Sequence, residues 1–283
     1  MGIEIEGLSE SAIVLENLRA VFDYSSRRAE PFGGGSQDHA NLTRYCTGIK
    51  YPILNAVIPR ELGQELDRDV VKEEVAYFNG LNAPFTWWLF GKKQKEEGDA
   101  LLKNEGALPL GLVLGVIRSL EDESVIPELE PSIGITTRRV TQRAQVKSWF
   151  EIIAKTLQLD DEVAKGFYYL FSDITVASPF SHYLAYVDGA VVGVASLFLG
   201  NKHASIWHLA VLPEARMKGV GRELICRCLR DAKRLNCSKV VAILTPDRMA
   251  EGIFDALSFH PCCELYPYSW TGLASREEPP TVN

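Results

Sequence analysis

Several things are scarce in this 283-residue chain, and each absence narrows what it can be. Long apolar runs are missing. The longest, residues 108–117, is interrupted by Pro109, Gly111 and Gly115 and falls well short of the roughly 20 residues that span a bilayer. It is expected to form a buried strand, and no membrane association is expected. The opening residues, Met1-Gly2-Ile3-Glu4-Ile5-Glu6, carry no basic stretch ahead of an apolar one, unlike a secretory leader, so a cytoplasmic location is expected. The cysteines, Cys46, Cys226, Cys228, Cys237, Cys262 and Cys263, form no C-x-x-C pair, and no histidine group accompanies them at metal-ligand spacing. Reduced, packed thiols and no metal follow. A basic excess is absent too: 30 Lys and Arg stand against 37 Asp and Glu, a net charge of −7. Nucleic-acid binding is disfavoured, since such proteins show phosphates a basic face, and an amine or cationic substrate suits the balance better.

What is there is the composition of a soluble globular protein, 46% hydrophobic and 24% charged. The length exceeds that of a usual single core, which predicts two domains. The acidic stretch at 121–131, with Pro127 and Pro131, marks the junction, giving domains at 1–126 and 127–283. Residues 28–40, with Gly33, Gly34 and Gly35, read as a flexible loop. The tail at 275–283, with Pro279 and Pro280, is expected to fray.

The second half reads as a succession of elements. Residues 133–140 suit a strand, and helices are expected near 141–156 and 160–173. Residues 183–187, the pair Asp188-Gly189 and residues 191–199 give strand, two-residue turn and strand, a strong hairpin signal. A strand at 205–212, a helix after Gly221 and a strand at 239–244 follow. The meander is mostly antiparallel and then passes into a β-α-β unit. In the helix, Leu224, Ile225, Cys228, Leu229, Ala232 and Leu235 recur at three- and four-residue spacing, which makes one apolar face. Arg222, Glu223, Arg227, Arg230, Asp231, Lys233 and Arg234 fall on the other, solvated side.

The first half holds a shorter version. An extended stretch at 51–58 leads into a helix with Val70, Val71, Val75 and Phe78 on one side, then the apolar run at 85–90 and a helix near 99–104. This is either a degenerate copy of the second half or a common β-α-β unit.

The chemistry concentrates where the strand ending at Leu212-Pro213 runs through Glu214 and Ala215 into Arg216-Met217-Lys218-Gly219-Val220-Gly221 and the helix. Two glycines let the backbone approach an anion, and unpaired N–H groups at a helix start point toward it. Arg216 and Lys218 add positive charge, so the turn suits a diphosphate. The three-glycine dinucleotide fingerprint is absent, and the strand follows a hairpin instead of opening a βαβ unit.

Leu209-Ala210-Val211-Leu212-Pro213-Glu214-Ala215-Arg216 followed by Gly219 and Gly221 resembles the acyl-CoA-binding motif of the GNAT superfamily. The likeness covers about 133–270. It implies an α/β GNAT fold with a mixed, largely antiparallel sheet, preceded by a diverged partial GNAT-like domain. It also implies transfer of an acetyl group from acetyl-CoA to a primary amine, a small molecule in preference to a protein, by direct attack in a ternary complex. By the same resemblance Leu209, Ala210, Val211, Arg216, Met217, Lys218, Gly219, Val220, Gly221, Arg222 and Phe254 are the coenzyme contacts. Thr47-Gly48, Tyr51-Pro52, Asn55 and residues 84–88 resemble the first half of tandem GNAT proteins. There the place of the coenzyme turn, 58–69, has only Gly63 and carries Glu61, Glu65, Asp67 and Asp69, so this half is expected to bind no coenzyme A.

The family base commonly sits on the strand before the turn, and that position is His208; a half-buried histidine satisfied by a hydrogen bond is the structural alternative. The tyrosine that commonly faces the coenzyme sulfur is here Phe254, the following Gly-Phe is Ser258-Phe259, and an upstream Asn is Asp247. Phenylalanine donates no proton. Either Tyr266, Tyr268 or water replaces it, or the chain is a weak or inactive coenzyme-binding sensor. Trp207, Phe254, Phe259, Tyr266, Tyr268 and Trp270 either line an acceptor pocket or belong to the core.

Overall fold

The computed structural model describes residues 9–121, 134–246 and 252–272. Most of the expected junction at 121–131, the tail at 275–283 and Asp247 lie outside the described residues.

The first element is a helix not among the expected ones, α1 (Glu10–Arg28). Its signals are ordinary ones. The Ser9 hydroxyl accepts the Ala12 amide at the N-cap, and Ile13, Val14, Leu18, Val21 and Phe22 recur on one face and are buried. The glycine-rich stretch that follows is partly strand: β1 (Gly35–His39) pairs with β2 (Leu42–Cys46). Next come β3 (Ala56–Pro59), α2 (Arg68–Gly80), β4 (Phe85–Phe90) and α3 (Gly91–Asn104). The apolar run at 108–117 is not one buried strand. It is split into β5 (Leu108–Pro109), which is exposed, and β6 (Val113–Ser119), because Pro109 and a left-handed Gly111 (φ 92°) interrupt the ladder.

The second half runs β7 (Ile135–Arg139), α4 (Arg143–Leu157), α5 (Asp161–Phe171), β8 (Phe180–Val187), β9 (Ala190–Leu199), β10 (His203–Val211), α6 (Val220–Arg234) and β11 (Lys239–Leu244). It ends with α7 (Ile253–Ala256) and β12 (His260–Trp270). The β8–β9 turn is the expected one, with Asp188 at φ 49° and Gly189 at φ 80°, the two left-handed residues that match strand twist.

All twelve described strands share one mixed sheet, in the order β1-β2-β3-β4-β12-β6-β11-β10-β9-β8-β7, with β5 beside β12. Two pairings are parallel, β3 with β4 and β10 with β11. The centre is a reciprocal exchange: β12, from the second half, lies against β4 of the first, while β6, from the first half, lies against β11 of the second. Helices cover both faces. Val57 packs into the cluster with α2 and α3 while its neighbours Ala56 and Ile58 pack with α1, the alternation of a strand buried on both sides. By the same alternation α6 and α7 lie on the α2–α3 face and α4 and α5 on the α1 face.

Candidate functional site: the turn before α6 and the parting of β10 and β11

The turn from β10 to α6 is built around Gly219. Its backbone is left-handed (φ 88°, ψ −3°) and it occupies the N-cap with no side chain capping the helix. α6 therefore starts at Val220, not after Gly221 as expected. The Glu223 amide is the first to bond back, at 3.0 Å to the Gly219 carbonyl, so the amides of Val220, Gly221 and Arg222 have no helical acceptor. A Cβ on Gly221 would come no closer than 3.8 Å to Ile253 and 3.9 Å to Val211. Packing does not demand glycine there, and its bareness leaves the amides uncovered. Arg216, Met217 and Lys218 are exposed, and Arg216 Nε donates to the Val211 carbonyl at 3.2 Å. Free amides, a helix N-terminus and two cations are features that attract an anion.

The corresponding turn of the first half is closed. At the start of α2 the Asp67 carboxylate itself accepts the amides of Asp69 (2.7 Å) and Val70 (3.3 Å). A carboxylate already sits where an anion would bind.

Beside the α6 turn the sheet opens. The parallel strands β10 and β11 pair only through His203↔Lys239, Ala204↔Val240 and Ser205↔Val241. Both continue beyond that point without pairing, which leaves backbone groups of each strand free toward the gap. β10 meanwhile keeps its contact with β9 through a bulge between Trp207 and Ala210. Gly193 permits this: a Cβ there would meet Val220 at 2.9 Å and the Ala210 carbonyl at 3.2 Å.

His208 lies in that bulge with φ 53°. The residue keeps some surface, but its ring is enclosed by Trp149, Phe167, Phe171 and Phe180, with centroids 4.8–5.6 Å away. Burial drives its pKa down to about 3, with His182 adding to the shift. Its one hydrogen bond among the described residues is from Nδ1 to Ser196 Oγ, 3.1 Å. Ser196 Oγ also lies 2.8 Å from Nδ1 of His182, whose Nε2 lies 2.8 Å from the Phe171 carbonyl. Neither Ser196 nor His182 was singled out in the sequence.

The other expected contacts divide. Leu209 and Val211 pack toward the α6 core and Ala210 toward α4. The side chain of Val220 is fully buried, so only its amide can serve a ligand. Phe254 is 6% exposed and packs edge-on against Phe259. The two candidate replacement acids lie elsewhere. Tyr268 donates to Asp99 (2.5 Å) and Tyr266 to Glu264 (2.8 Å), both among the α2–α3 cluster. The six aromatic residues do not converge on one pocket; Trp270 joins that same cluster, and Trp207 is on the opposite face with its indole N–H on Ser205 Oγ. Nor is the polar side of α6 wholly solvated. Glu223 and Asp231 are buried, with Asp231 accepting from Tyr183, Arg227 and Arg234, and Leu235, expected on the apolar face, is exposed past the helix end. No metal-ligand group occurs among the described residues, and no helix there is long and apolar enough to cross a membrane.

Residues 146–259 match the family model described as the acetyltransferase (GNAT) family. That part of the chain is a GNAT acetyltransferase domain, and the sheet with its parted strands is the α/β fold expected from the motif. A GCN5-related N-acetyltransferase from Kribbella flavida superimposes with a TM-score of 0.69 at 14% identity, over 93% of this chain and 96% of that one. A functionally unknown conserved protein from Staphylococcus epidermidis gives 0.66 at 13% identity, over 82% and 92%. A tandem GNAT protein from the clavulanic acid biosynthesis pathway gives 0.55 at 17% identity, over 81% and 78%. These likenesses concern the fold, and they extend it to the first half. No curated protein matches the chain in sequence.

Proposed function

We propose that the protein transfers an acetyl group from acetyl-CoA to a primary amine of a small molecule, both substrates being bound together. The observation that carries this is the uncapped start of α6, with free amides of Val220, Gly221 and Arg222 beside the parting of β10 and β11. Arg216, Lys218 and those amides would hold the pyrophosphate, Met217 and Gly219 shape the turn, and the backbone of Leu209, Ala210 and Val211 would pair with the amide-bearing arm. When bound, acetyl-CoA supplies an activated acyl group and a thiolate leaving group. The first half, its helix start occupied by Asp67, takes no second coenzyme.

His208 is the proton acceptor in this reading. Its Nδ1 is engaged by Ser196, which leaves Nε2 to accept. With a pKa near 3 it is neutral at neutral pH, its Nε2 bare, and it holds a second proton only in passing. A second reading is favoured by the same burial and by Phe254, which offers no hydroxyl: a coenzyme-binding module that turns over slowly or not at all.

The test is calorimetric titration of acetyl-CoA into the wild type and a Gly219→Glu variant. One equivalent, lost in the variant, is expected; no binding by the wild type sinks the proposal. Release of free thiol when a panel of amines is supplied then separates the transferase from the sensor.

A further inference from the structure

A groove of about 270 Å³ runs between α1 and the loop joining β9 to β10. From α1 it is lined by Glu16, Asn17, Ala20, Asp23, Tyr24 and Arg27, one helical stripe, and from the sheet side by residues including Gly200, Asn201 and His203. Asn17 is 3% exposed. Its Nδ2 donates to the Ile13 carbonyl at 2.9 Å; since a carbonyl only accepts, the amide orientation is fixed and Oδ1 is turned away from Ile13. Oδ1 is buried and has no partner.

Asn17 also lines a second, much smaller cavity, with Ser205, Ile206 and Trp207 of β10 and Val241, Ala242 and Ile243 of β11. These residues flank the last paired position, Ser205↔Val241, where the strands part. One side chain of the first half therefore stands between the outer groove and the apex of the opening.

The charges around the groove are unequal. Asp23 is paired with Arg27. His203 is kept neutral by burial and is hydrogen-bonded to Ser238. Glu16 makes no ion pair or hydrogen bond among the described residues; its field reaches the neutral His203 ring, where Lys202 and Lys239 oppose it, and its carboxylate has no direct partner. An unpaired carboxylate beside an unpaired, buried amide oxygen asks for a cationic N–H donor.

We propose that this groove binds a primary ammonium group, with Glu16 as its counter-charge and Asn17 Oδ1 accepting its N–H, and so admits the acceptor amine to the strand parting. The binding claim stands on the groove; its catalytic meaning rests on the transferase reading above.

The probe is butan-1-amine, charged at pH 7, with butan-1-ol as its neutral counterpart, titrated while amide resonances of Gly200 and Asn201 and the Asn17 side chain are followed by NMR. Saturable shifts with the amine and none with the alcohol are expected. Glu16→Gln, a half-buried position that should fold normally, and Asn17→Leu, of similar volume, are each expected to weaken the amine by about tenfold. No saturable shift in the wild type, equal shifts with the alcohol, or undiminished binding in a folded Glu16→Gln would overturn the proposal and leave a groove filled by water. Acetyl-CoA calorimetry on the same wild-type sample reports separately on the transferase reading, so amine binding without acetyl-CoA binding sinks only the latter.

Discussion

Ser196 meets His208 as an acceptor, and the direction of that 3.1 Å bond is forced from two residues away. The Phe171 carbonyl only accepts, so Nε2 of His182 carries the hydrogen. His182, whose pKa burial lowers to about 4, is neutral, and its bare Nδ1 must receive the Ser196 proton. The serine then has only a lone pair for His208, which is fixed with hydrogen on Nδ1. Replacing Ser196 with Ala is expected to release this tautomer, detectable as a change in the nitrogen shifts of the His208 ring; unchanged shifts would mean the cage alone sets it.

Both histidines are held below the unfolded value of about 6.5. The native state resists the protons that the unfolded state takes up, so stability is full above about pH 6.5 and falls as pH drops toward 4 and 3. Between pH 7.5 and 5 each group is expected to cost about 2 kcal/mol. Urea midpoints at the two pH values check this, and His208→Phe should remove its share. A wild type as stable at pH 5 as at 7.5 would refute the burial argument.

Gly193→Ala places a Cβ 2.9 Å from Val220 and 3.2 Å from the Ala210 carbonyl. Something must move, either α6 or the β10 bulge, and a loss of about 1–3 kcal/mol is expected in denaturant titration.

Glu74 is wholly buried on α2 and held by Arg44 at 2.7 and 2.8 Å, with His39 at 3.0 Å. Arg44→Met strands that carboxylate and is expected to cost about 3–5 kcal/mol, read as a lowered melting temperature. Glu74→Gln in the same background should recover part of the loss.

Asp67→Ala removes the cap of α2 and is expected to cost about 1 kcal/mol. It opens the first-half helix start without adding cations, so the acetyl-CoA stoichiometry should stay at one.

How much of this was legible follows from which forces are local. The Asp188-Gly189 turn and the stripe of α6 were readable because residues close in sequence specify each. The register behind the turn was not. Counting back from Val187↔Ala190 pairs His182 with Ala195, but a bulge between Ala185 and Tyr186 shifts the ladder by one and brings Ser196 opposite instead. α1 carried its cap and stripe openly, yet its role depends on lying across β6, β10, β11 and β12, which no local pattern announces. β12 was hidden by its own composition. Pro261 and Pro267 argue against a central strand, and Pro261 is accommodated at a bulge before Cys263. The motif at 216–221 was visible in the sequence; the occupied cap at Asp67 was foreshadowed only by its acidity.

The exchange at the centre of the sheet sets an order of events on the ribosome. β12 is the last described strand to be synthesised, and it is the one that lies between β4 and β6. Until it emerges, those two strands present open edges at the middle of the sheet, and contacts such as Ser11 Oγ to the Cys262 carbonyl, 251 positions apart, cannot form. Such long-range closure is slow, and unpaired edges are where nascent chains stick to one another. The vulnerable species for this protein is therefore the nascent chain that still lacks β12, with its seam unstitched.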